Sequence, residues 1–305
     1  MTGPSDVQLV TVNYGSSRLL ERNLVGLPQA TRVVVVDNYL DAAERIRIVE
    51  LGASRGWTVL VPDSNLGFGD GVNLGVERAL ADGAEVVLVV NPDAVMTGAN
   101  AEVLARSALS HPRALVAPLV SNSDGKINFS GQEVDVDAGG TRRADVTTAR
   151  HPWLTGACLA FTPGAWRRSG GFASDYFLYW EDVDLSWNML ERGGELHLEK
   201  SVTVVHDAGG TQERSKISGK SPIYIYYNCR NRLVFAARNL PSVQARSWAR
   251  GSVRYACEVL LRGGSRRVLL SPRHLWAAMR GTRSGLAHIR RTQSGRSHSP
   301  GRTSR

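Results

Sequence analysis

The sequence has few cysteines and no long apolar run, and both shortages exclude classes of protein. Its three cysteines, in 305 residues, are far apart and show no metal-site spacing, so we expect structural thiols in a reducing cytoplasm. No run approaches the roughly 18–20 apolar residues of a membrane-spanning helix. The N-terminus lacks the basic and apolar regions of a signal peptide. These observations predict a cytoplasmic protein, and the 42% hydrophobic content is that of a folded one.

Acidic residues are nearly absent from the last part of the chain. From residue 241 onward there are 14 arginines, no lysine and one acid, Glu258, which gives a net charge of +13, whereas residues 1–240 carry −4. A basic segment of this kind suits a phosphate-rich partner such as anionic lipid, a lipid pyrophosphate or nucleic acid. Nucleic acid is the least favoured of these partners, because no recognisable binding module accompanies the charge.

The first half of the chain alternates two kinds of pattern. Short Val-rich runs bounded by turn residues predict strands at Val7–Val12, Arg32–Val36, Trp57–Val61, Glu85–Val90 and Ala114–Val120. Amphipathic stretches predict helices at Ser17–Leu27, Asp41–Ala53, Gly71–Leu80 and Ala99–Leu109. Strand–helix alternation predicts an α/β fold with a mostly parallel central sheet and flanking helices.

The later part of the chain changes in character. Residues 121–150 have the turn clusters of a polar hairpin or loop, a further helix begins near Glu181, and a strand leads into His206. Beyond residue 240, short amphipathic helices are expected. We therefore divide the chain into a catalytic-type domain (1–240), a basic amphipathic helical segment (241–291) and a disordered Ser/Gly/Arg-rich tail (292–305).

Asp37 and Asn38 end the second predicted strand. This is the edge of an open α/β sheet where ligands bind, and a carboxylate there can accept hydrogen bonds from a ribose or a base. A turn that caps the next helix is the alternative reading.

The segment Asn65–Gly75 carries glycines at alternate positions before a predicted helix. Such glycines let a backbone approach a ligand closely, and the helix N-terminus would favour a phosphate. A dinucleotide-binding dehydrogenase is disfavoured, because its acid follows the glycines whereas Asp37 precedes them here. A simple tight turn remains open.

Two acidic motifs and a histidine carry the strongest chemical signal. Asp93 follows the fourth strand in an Asn-Pro-Asp turn, where a carboxylate can bind a divalent cation that also grips a diphosphate. Glu181-Asp182-Val183-Asp184 opens a helix after five bulky residues, a setting that can raise a carboxylate pKa enough for general-base work. His206 ends a strand before a Gly-rich loop, and His with carboxylate oxygens suits Mn²⁺. Ordinary turns and helix-dipole stabilisation are the alternatives.

The order of these motifs resembles the family 2 inverting glycosyltransferases of the GT-A fold, and within them the bacterial rhamnosyltransferase-type members. The likeness covers about residues 7–240. Its most specific part runs from Gly170-Gly171-Phe172 through the aromatic string to Glu181-Asp182-Val183-Asp184-Leu185, and residues 153–158 and 229–232 also match.

The resemblance implies a role for each matching residue. Asp182 would be the base that deprotonates the acceptor hydroxyl, and Asp93 and His206 would be the metal ligands, because Asn91 replaces the first acid of the Asp-x-Asp motif. Glu181 and Asp184 would support the base. The donor nucleotide would contact Thr11, Asn13, Asp37, Asn65, Gly67, Asn73 and Asp93. The acceptor and the sugar would be bordered by Gly156, Ala157, Trp180 and Glu181.

The implied reaction is a single displacement on a nucleotide-diphospho-sugar with Mg²⁺ or Mn²⁺, with inversion at the anomeric carbon. The favoured donor is dTDP-rhamnose, and the favoured acceptor is a glycan or lipid-linked glycan in cell-surface polysaccharide or glycoconjugate synthesis. The basic segment then predicts peripheral contact with the inner face of the membrane, and a solvated arginine-rich tail is the alternative. The predicted contact surface has apolar side chains interspersed with arginines: Trp248, Val253, Leu260 and Leu261, with Arg246, Arg250, Arg254, Arg262, Arg266 and Arg267.

Three alternatives stay open at this stage. A UDP-sugar transferase with a soluble or secondary-metabolite acceptor would use the same residues. A non-catalytic nucleotide-sugar-binding protein would not need Asp93, Asp182 and His206 together. A nucleotidyltransferase would carry a Gly-rich basic loop after the first strand, where residues 13–17 are Asn-Tyr-Gly-Ser-Ser.

Overall fold

The computed structural model describes residues 7–206, 220–262 and 271–296. These residues form two compact units. The first holds 7–133, 142–177 and 181–206, and the second holds 134–141, 178–180, 220–262 and 271–296. No helix within the described ranges is long and apolar enough to cross a membrane.

A mostly parallel sheet of eight strands is the centre of the first unit. Its strands are β1 (Val7–Asn13), β2 (Arg32–Asp37), β3 (Thr58–Leu60), β4 (Val86–Val90), β5 (Ala114–Ser121), β6 (Ile127–Phe129), β10 (Cys158–Phe161) and β11 (Glu195–Val205). Their order is β11-β5-β10-β4-β1-β2-β3, and β6 pairs with β5. Only β6 and β10 run antiparallel to their neighbours. Three further strands, β7 (Gln132–Asp135), β8 (Gly140–Arg143) and β9 (Pro152–Trp153), form a small sheet in the order β8-β7-β9.

Helices cover both faces of the large sheet. They are α1 (Ser17–Asn23), α2 (Ala42–Arg55), α3 (Gly67–Ala81), α4 (Gly98–Ser110), α5 (Pro163–Ser169) and α6 (Glu181–Glu191). One apolar core joins the sheet to α3, α5 and α6, and a second joins the opposite face to α1, α2 and α4. The central strands β1, β2 and β4 are Val-rich because both of their faces are buried. The predicted α/β class is therefore confirmed.

Two predicted helices differ from those observed. The first ends at Asn23, where a run to Leu27 is expected from the spacing of leucines. The third begins at Gly67 and not at Gly71, because the glycines lie inside the helix and not in a preceding loop. They are needed there for packing: a Cβ on Gly75 would lie 2.5 Å from Cγ1 of Val10.

The second unit is built on α7 (Pro222–Asn239), with α8 (Ser242–Arg250), α9 (Ser252–Leu261) and α10 (Pro272–Arg296). The sequence places a domain boundary at residue 240, whereas in the structure α7 clusters with the helices that follow it. The cause is the apolar and aromatic face of α7, which is buried in this unit through residues such as Leu233 and Phe235.

The start of the disordered tail is also placed too early by the sequence. The last helix continues past Thr292, whose hydroxyl donates to the carbonyl of His288 at 3.0 Å, and Ile289 is buried with 4% of its surface exposed. This buried contact offsets the helix-disfavouring composition of the segment. Residues 297–305, and the arginines at 266 and 267, lie outside the described residues.

Candidate active site

The predicted site residues of the first unit meet at one edge of the large sheet. Strands β1, β2 and β4 are parallel, so Asn13, Asp37 and Asn91 follow the same ends of adjacent strands. Because β10 is antiparallel to both β4 and β5, and β11 is parallel to β5, His206 also ends its strand at this edge. Gly156 precedes β10 and therefore joins them. The edge is the ligand-binding edge of an open α/β sheet.

Main-chain pairing brings Asp93 next to His206. Ala94 and His206 form an isolated antiparallel bridge, and the amide of Val95 donates to the carbonyl of Val205 at 2.9 Å. The amide of His206 in turn donates to the carbonyl of Ser121 at 2.8 Å. As a result, Nε2 of His206 lies 2.9 Å from Oδ1 of Asp93, and the two side chains are only 16% and 8% exposed.

This pair has the spacing of two ligands of one cation. Nε2 of His206 is buried and makes no well-aligned hydrogen bond, although Oδ1 of Asp93 is within ion-pair range. Neighbouring ligand atoms of an octahedral ion with bonds of about 2.1 Å lie about 3 Å apart. Oδ1 of Asn91 is also buried without a partner at this turn. Among the described residues, no group of three or more His, Cys, Asp or Glu side chains suited to a metal occurs.

Asp182 lies in the first turn of α6 with both carboxylate oxygens engaged by backbone amides. Oδ2 accepts from the amide of Gly156 at 3.1 Å, and Oδ1 accepts from that of Val183 at 2.9 Å. Burial raises the pKa of Asp182 to about 6, and these two hydrogen bonds oppose the increase. The side chain nevertheless keeps part of its surface exposed. An oriented, accessible carboxylate that is mostly ionised near neutral pH has the properties of a general base.

The two neighbouring acids play different parts. Glu181 is 6% exposed, and its Oε2 has no hydrogen-bond partner; burial first, and then the charge of Asp182, raise its pKa well above the usual value. Asp184 is fully buried and accepts from the hydroxyl of Tyr176 at 3.0 Å and from Nδ2 of Asn188 at 2.8 Å. Asp184 therefore anchors the helix, as the sequence predicts for a supporting residue.

The backbone immediately before Glu181 is strained. Tyr179 and Trp180 have φ angles of +65° and +74°, in the left-handed region that costs a non-glycine residue about 1–3 kcal/mol. Within the second unit, Nδ2 of the fully buried Asn231 donates to the carbonyls of Leu178 and Tyr179, each at 2.8 Å. Strain persists only where surrounding contacts over-determine it, and Asn231 supplies two of them.

Trp180 requires a correction. The sequence assigns it to the sugar or acceptor subsite, but its side chain is only 5% exposed and packs in the second unit against Phe235 and Trp248, with ring centroids 5.5 and 6.0 Å away. Its left-handed backbone turns the indole into this core. Trp180 is thus a packing residue, and its ring is not available as a platform for a sugar.

Asp37, which the sequence predicts to contact the nucleotide, is held by two side chains. Nδ2 of Asn13 donates to Oδ1 at 3.0 Å, and Nε of Arg45 donates to Oδ2 at 2.8 Å. The guanidinium of Arg45 also lies 4.4 Å from the ring centroid of Tyr39. The contact of Arg45 with Asp37 is not predicted from the sequence, because nothing in the spacing of α2 distinguishes Arg45 from the other arginines of that helix. Thr11, on the adjacent strand, is 1% exposed and its Oγ1 has no partner.

The glycine-rich segment is shaped by close contacts. The backbone of Gly67 has φ +80°, and a Cβ there would lie 2.4 Å from the carbonyl oxygen of Phe177. Oδ1 of Asn65 accepts from the amide of Gly67 at 2.9 Å and so fixes the start of α3. The amide group of Asn73 clamps the backbone of Phe172, with bonds of 2.8 and 2.9 Å. Asn73 thus positions the Gly-Gly-Phe segment, whereas its predicted contact with the nucleotide stays a prediction.

Gly156 and Ala157, which are predicted to border the acceptor, connect Asp182 with the Asn-Pro-Asp turn. Gly156 donates to Asp182, and a Cβ on it would lie 3.2 Å from the ring of Phe68. The carbonyl of Ala157 accepts from the amide of Asn91 at 2.9 Å. The segment before β10 therefore links Asp182 to the Asn-Pro-Asp turn. The Gly-rich loop predicted after His206 lies outside the described residues.

Comparison with known proteins gives one kind of sequence relative and several structural neighbours. No protein-family model matches the chain. A curated relative from Mycobacterium tuberculosis, named N-acetylglucosaminyl-diphospho-decaprenol L-rhamnosyltransferase, is 27% identical over 244 residues, which cover 69% of this chain and 78% of the relative.

Solved structures share the fold at low sequence identity. The mannosyltransferase PcManGT from Pyrobaculum calidifontis, solved with GDP-Man and Mn²⁺, gives a TM-score of 0.53 at 16% identity and covers 97% of this chain and 88% of its own. TarS 1-349 from S. aureus, solved with UDP-GlcNAc, gives 0.53 at 14% identity, with coverage of 95% and 87%. GalNAc-T7 with UDP, GalNAc and Mn²⁺ gives 0.56 at 15% identity, but this chain spans only 52% of it. The solved structures and the curated relative together agree with the resemblance found in the motifs: the chain has the GT-A glycosyltransferase fold and is similar in sequence to a rhamnosyltransferase.

Proposed function

We propose that this enzyme transfers a sugar, L-rhamnose from dTDP-rhamnose in the favoured case, to a hydroxyl of a lipid-linked glycan, with inversion at the anomeric carbon. This sugar transfer would take place at the inner face of the membrane, in cell-surface polysaccharide or glycoconjugate synthesis. The observation that carries this proposal is the geometry of Asp182, a carboxylate with a raised pKa held by the amide of Gly156 at the same sheet edge as Asp93 and His206.

The chain's own residues account for the proton and for binding. Asp182 accepts the proton of the acceptor hydroxyl as that oxygen bonds to the anomeric carbon and the bond to the nucleotide diphosphate breaks. The amides of Gly156 and Val183 hold the carboxylate in place before and after it takes the proton. Asp93 and His206 would hold a Mg²⁺ or Mn²⁺ ion, which when bound neutralises charge on the diphosphate.

The donor nucleotide is assigned to the opposite side of the edge. Asn13 and Asp37 are pre-ordered there by their mutual hydrogen bond, and Thr11 presents a buried hydroxyl without a protein partner. The Mycobacterium relative, by its name, transfers L-rhamnose to a lipid-linked acceptor, and this supports the choice of sugar and acceptor.

The test is a donor and acceptor matrix. Full-length protein with Mn²⁺ would be incubated with dTDP-rhamnose, UDP-GlcNAc, UDP-Glc or GDP-mannose and a short-chain lipid-diphospho-GlcNAc, with the product identified by mass spectrometry and its anomeric configuration by NMR. We expect rhamnose transfer with inversion. Transfer from a UDP-sugar to a soluble acceptor, with none from dTDP-rhamnose, would replace the favoured reaction by the alternative one.

Hydrolysis of the sugar donor distinguishes an enzyme from a protein that only binds the donor. A catalytic site should slowly release nucleotide from its donor in the presence of Mn²⁺ even without acceptor, and Asp182→Asn should still bind the donor. If donor binds but neither transfer nor hydrolysis occurs under any condition, a nucleotide-sugar-binding protein becomes the better description.

A further inference from the structure

The last helix of the second unit presents two opposite faces. Its inner face is packed tightly on α7: a Cβ on Gly281 would lie 2.3 Å from the carbonyl oxygen of Tyr226, and one on Gly285 would lie 2.8 Å from Cβ of Leu233. Ala278 on this face is 4% exposed. Glycines four residues apart allow such a close approach, and the approach fixes which side of the helix faces outward.

The outward face carries large apolar side chains. Trp276 and Met279, one turn apart, are 55% and 63% exposed, and Leu275 is 39% exposed. Single exposed apolar residues are ordinary, but three within five residues, including a tryptophan, form a patch. Nothing else in the described part of the second unit covers these three side chains.

Arginines surround this patch. Arg273, Arg280 and Arg283 are exposed, and α10 contains no acidic residue. The guanidinium of Arg280 lies 4.4 Å from the ring centroid of Trp276. Among the described residues none of these three arginines forms a salt bridge with a carboxylate. A helix with Trp and aliphatic residues framed by unneutralised arginines has the composition of an interfacial membrane helix.

The surface that the sequence favours for the membrane is only partly exposed, since Val253 and Leu261 are exposed but its other two apolar side chains are buried. Trp248 and Leu260 are 1% and 4% exposed, because both belong to the interior of the second unit. The indole Nε1 of Trp248 donates to the carbonyl of Val136 at 2.7 Å. The positions of Trp248 and Leu260 in the amphipathic pattern of α8 and α9 thus reflect packing within the second unit.

We infer that the outward face of α10, formed by Arg273, Leu275, Trp276, Met279, Arg280 and Arg283, binds an anionic lipid bilayer. This deepens the proposed function, since it names the surface through which an enzyme with a lipid-linked acceptor would reach its membrane. The tryptophan and methionine enter the headgroup boundary, and the arginines contact lipid phosphates. An anionic bilayer is favoured over a protein partner because α10 carries positive charge only.

Vesicle binding tests the inference. Full-length protein would be sedimented with vesicles of phosphatidylglycerol and phosphatidylcholine, and with phosphatidylcholine alone, at low and high salt. We expect binding to anionic vesicles that weakens with salt. The double variant Trp276→Ser/Met279→Ser should bind at least tenfold more weakly, and Arg273→Gln/Arg280→Gln/Arg283→Gln about a hundredfold more weakly, at about fivefold per arginine.

A matched control is available on α9. Val253 and Leu261 are 76% and 49% exposed and lie beside Arg254 and Arg262, so Val253→Ser/Leu261→Ser removes two exposed apolar side chains elsewhere. Binding within twofold of the unaltered protein is expected for this control. An equal loss in both double variants, or tighter binding to a DNA duplex than to anionic vesicles at the same salt, would overturn the assignment.

Transfer to a water-soluble acceptor analogue separates this inference from the proposed function. The α10 variants should keep the turnover of the unaltered protein on such an analogue, because none of their residues belongs to the active site. Turnover without vesicle binding refutes only the membrane surface. Vesicle binding without turnover on any acceptor refutes only the proposed reaction.

Discussion

The carboxylate of Asp182 is held in its ionised form at a cost in stability, and its removal should expose that cost. The difference between a pKa of about 6 in the folded chain and the ordinary 3.8 corresponds to about 3 kcal/mol at 1.36 kcal/mol per pH unit. In Asp182→Asn the amide can accept from only one of the two N–H groups that now point at the carboxylate, a loss of about 1 kcal/mol. We therefore expect Asp182→Asn to be more stable by about 1–2 kcal/mol at pH 8.

The raised pKa of Asp182 determines how folding stability changes with pH. The folded state binds the proton of Asp182 more tightly than the unfolded state, so the stability of the unaltered protein falls as pH rises from about 4 to about 6. The penalty is fully present above pH 6 and absent below pH 4. The advantage of Asp182→Asn should therefore appear at pH 8 and vanish at about pH 4.

Guanidinium unfolding followed by tryptophan fluorescence measures this difference, and the melting temperature should rise by roughly 3–6 °C at pH 8. Asp63→Asn, at an exposed aspartate, removes the same charge without burial and should change stability little. Sugar transfer by Asp182→Asn should fall by about 10²–10⁴-fold. An Asp182→Asn protein that is no more stable than the unaltered one at pH 8 would refute the claim that burial raises this pKa.

Three other changes test the remaining geometry. Asp93→Ala or His206→Ala should weaken Mn²⁺ binding, measured by electron paramagnetic resonance with nucleotide diphosphate present, and unchanged affinity in both would remove the pair from the metal site. Asn231→Ala leaves two carbonyls beside the strained residues without a donor and should destabilise the protein by about 2–4 kcal/mol in chemical unfolding; Asn228→Ala, which loses a single bond within α7, should cost less. Gly75→Ala should lower the free energy of unfolding by about 1–3 kcal/mol through overpacking. Gly164→Ala should be tolerated, because its new Cβ would lie 3.7 Å from the nearest atom, Oγ1 of Thr162.

The sequence predicts the sheet, and the edge of the sheet where polar residues gather, because both depend on local signals. Val-rich runs identify the strands, and polar residues at their ends place Asn13, Asp37 and Asp93 at one edge as soon as the strands are parallel. The predicted roles of these residues rest on the resemblance and on this placement.

The failures arise where distant packing decides. Trp180 reads as a sugar platform in a string of aromatics, but a left-handed backbone turns it into the core of the second unit. Arg45 gives no signal, because its partner Asp37 is recognisable only after α2 packs beside β2. The clustering of α7 with the helices that follow residue 240 depends on packing between helices, which the sequence pattern does not reveal.

The backbone bridge between Ala94 and His206, which places His206 beside Asp93, is separated from the first part of β11 by an irregularity in strand pairing. In β11 the register with β5 shifts between Glu199 and Thr203, so residues 200–202 have no partner, and regular pairing resumes from Thr203 to Val205. A residue inserted or deleted within 200–202 would be absorbed there, whereas one inserted between Thr203 and His206 would exchange the two faces of the strand end and turn the imidazole away. Length variation among related chains should therefore be tolerated in the first stretch and should coincide with loss of the histidine, and with metal-independent chemistry, in the second.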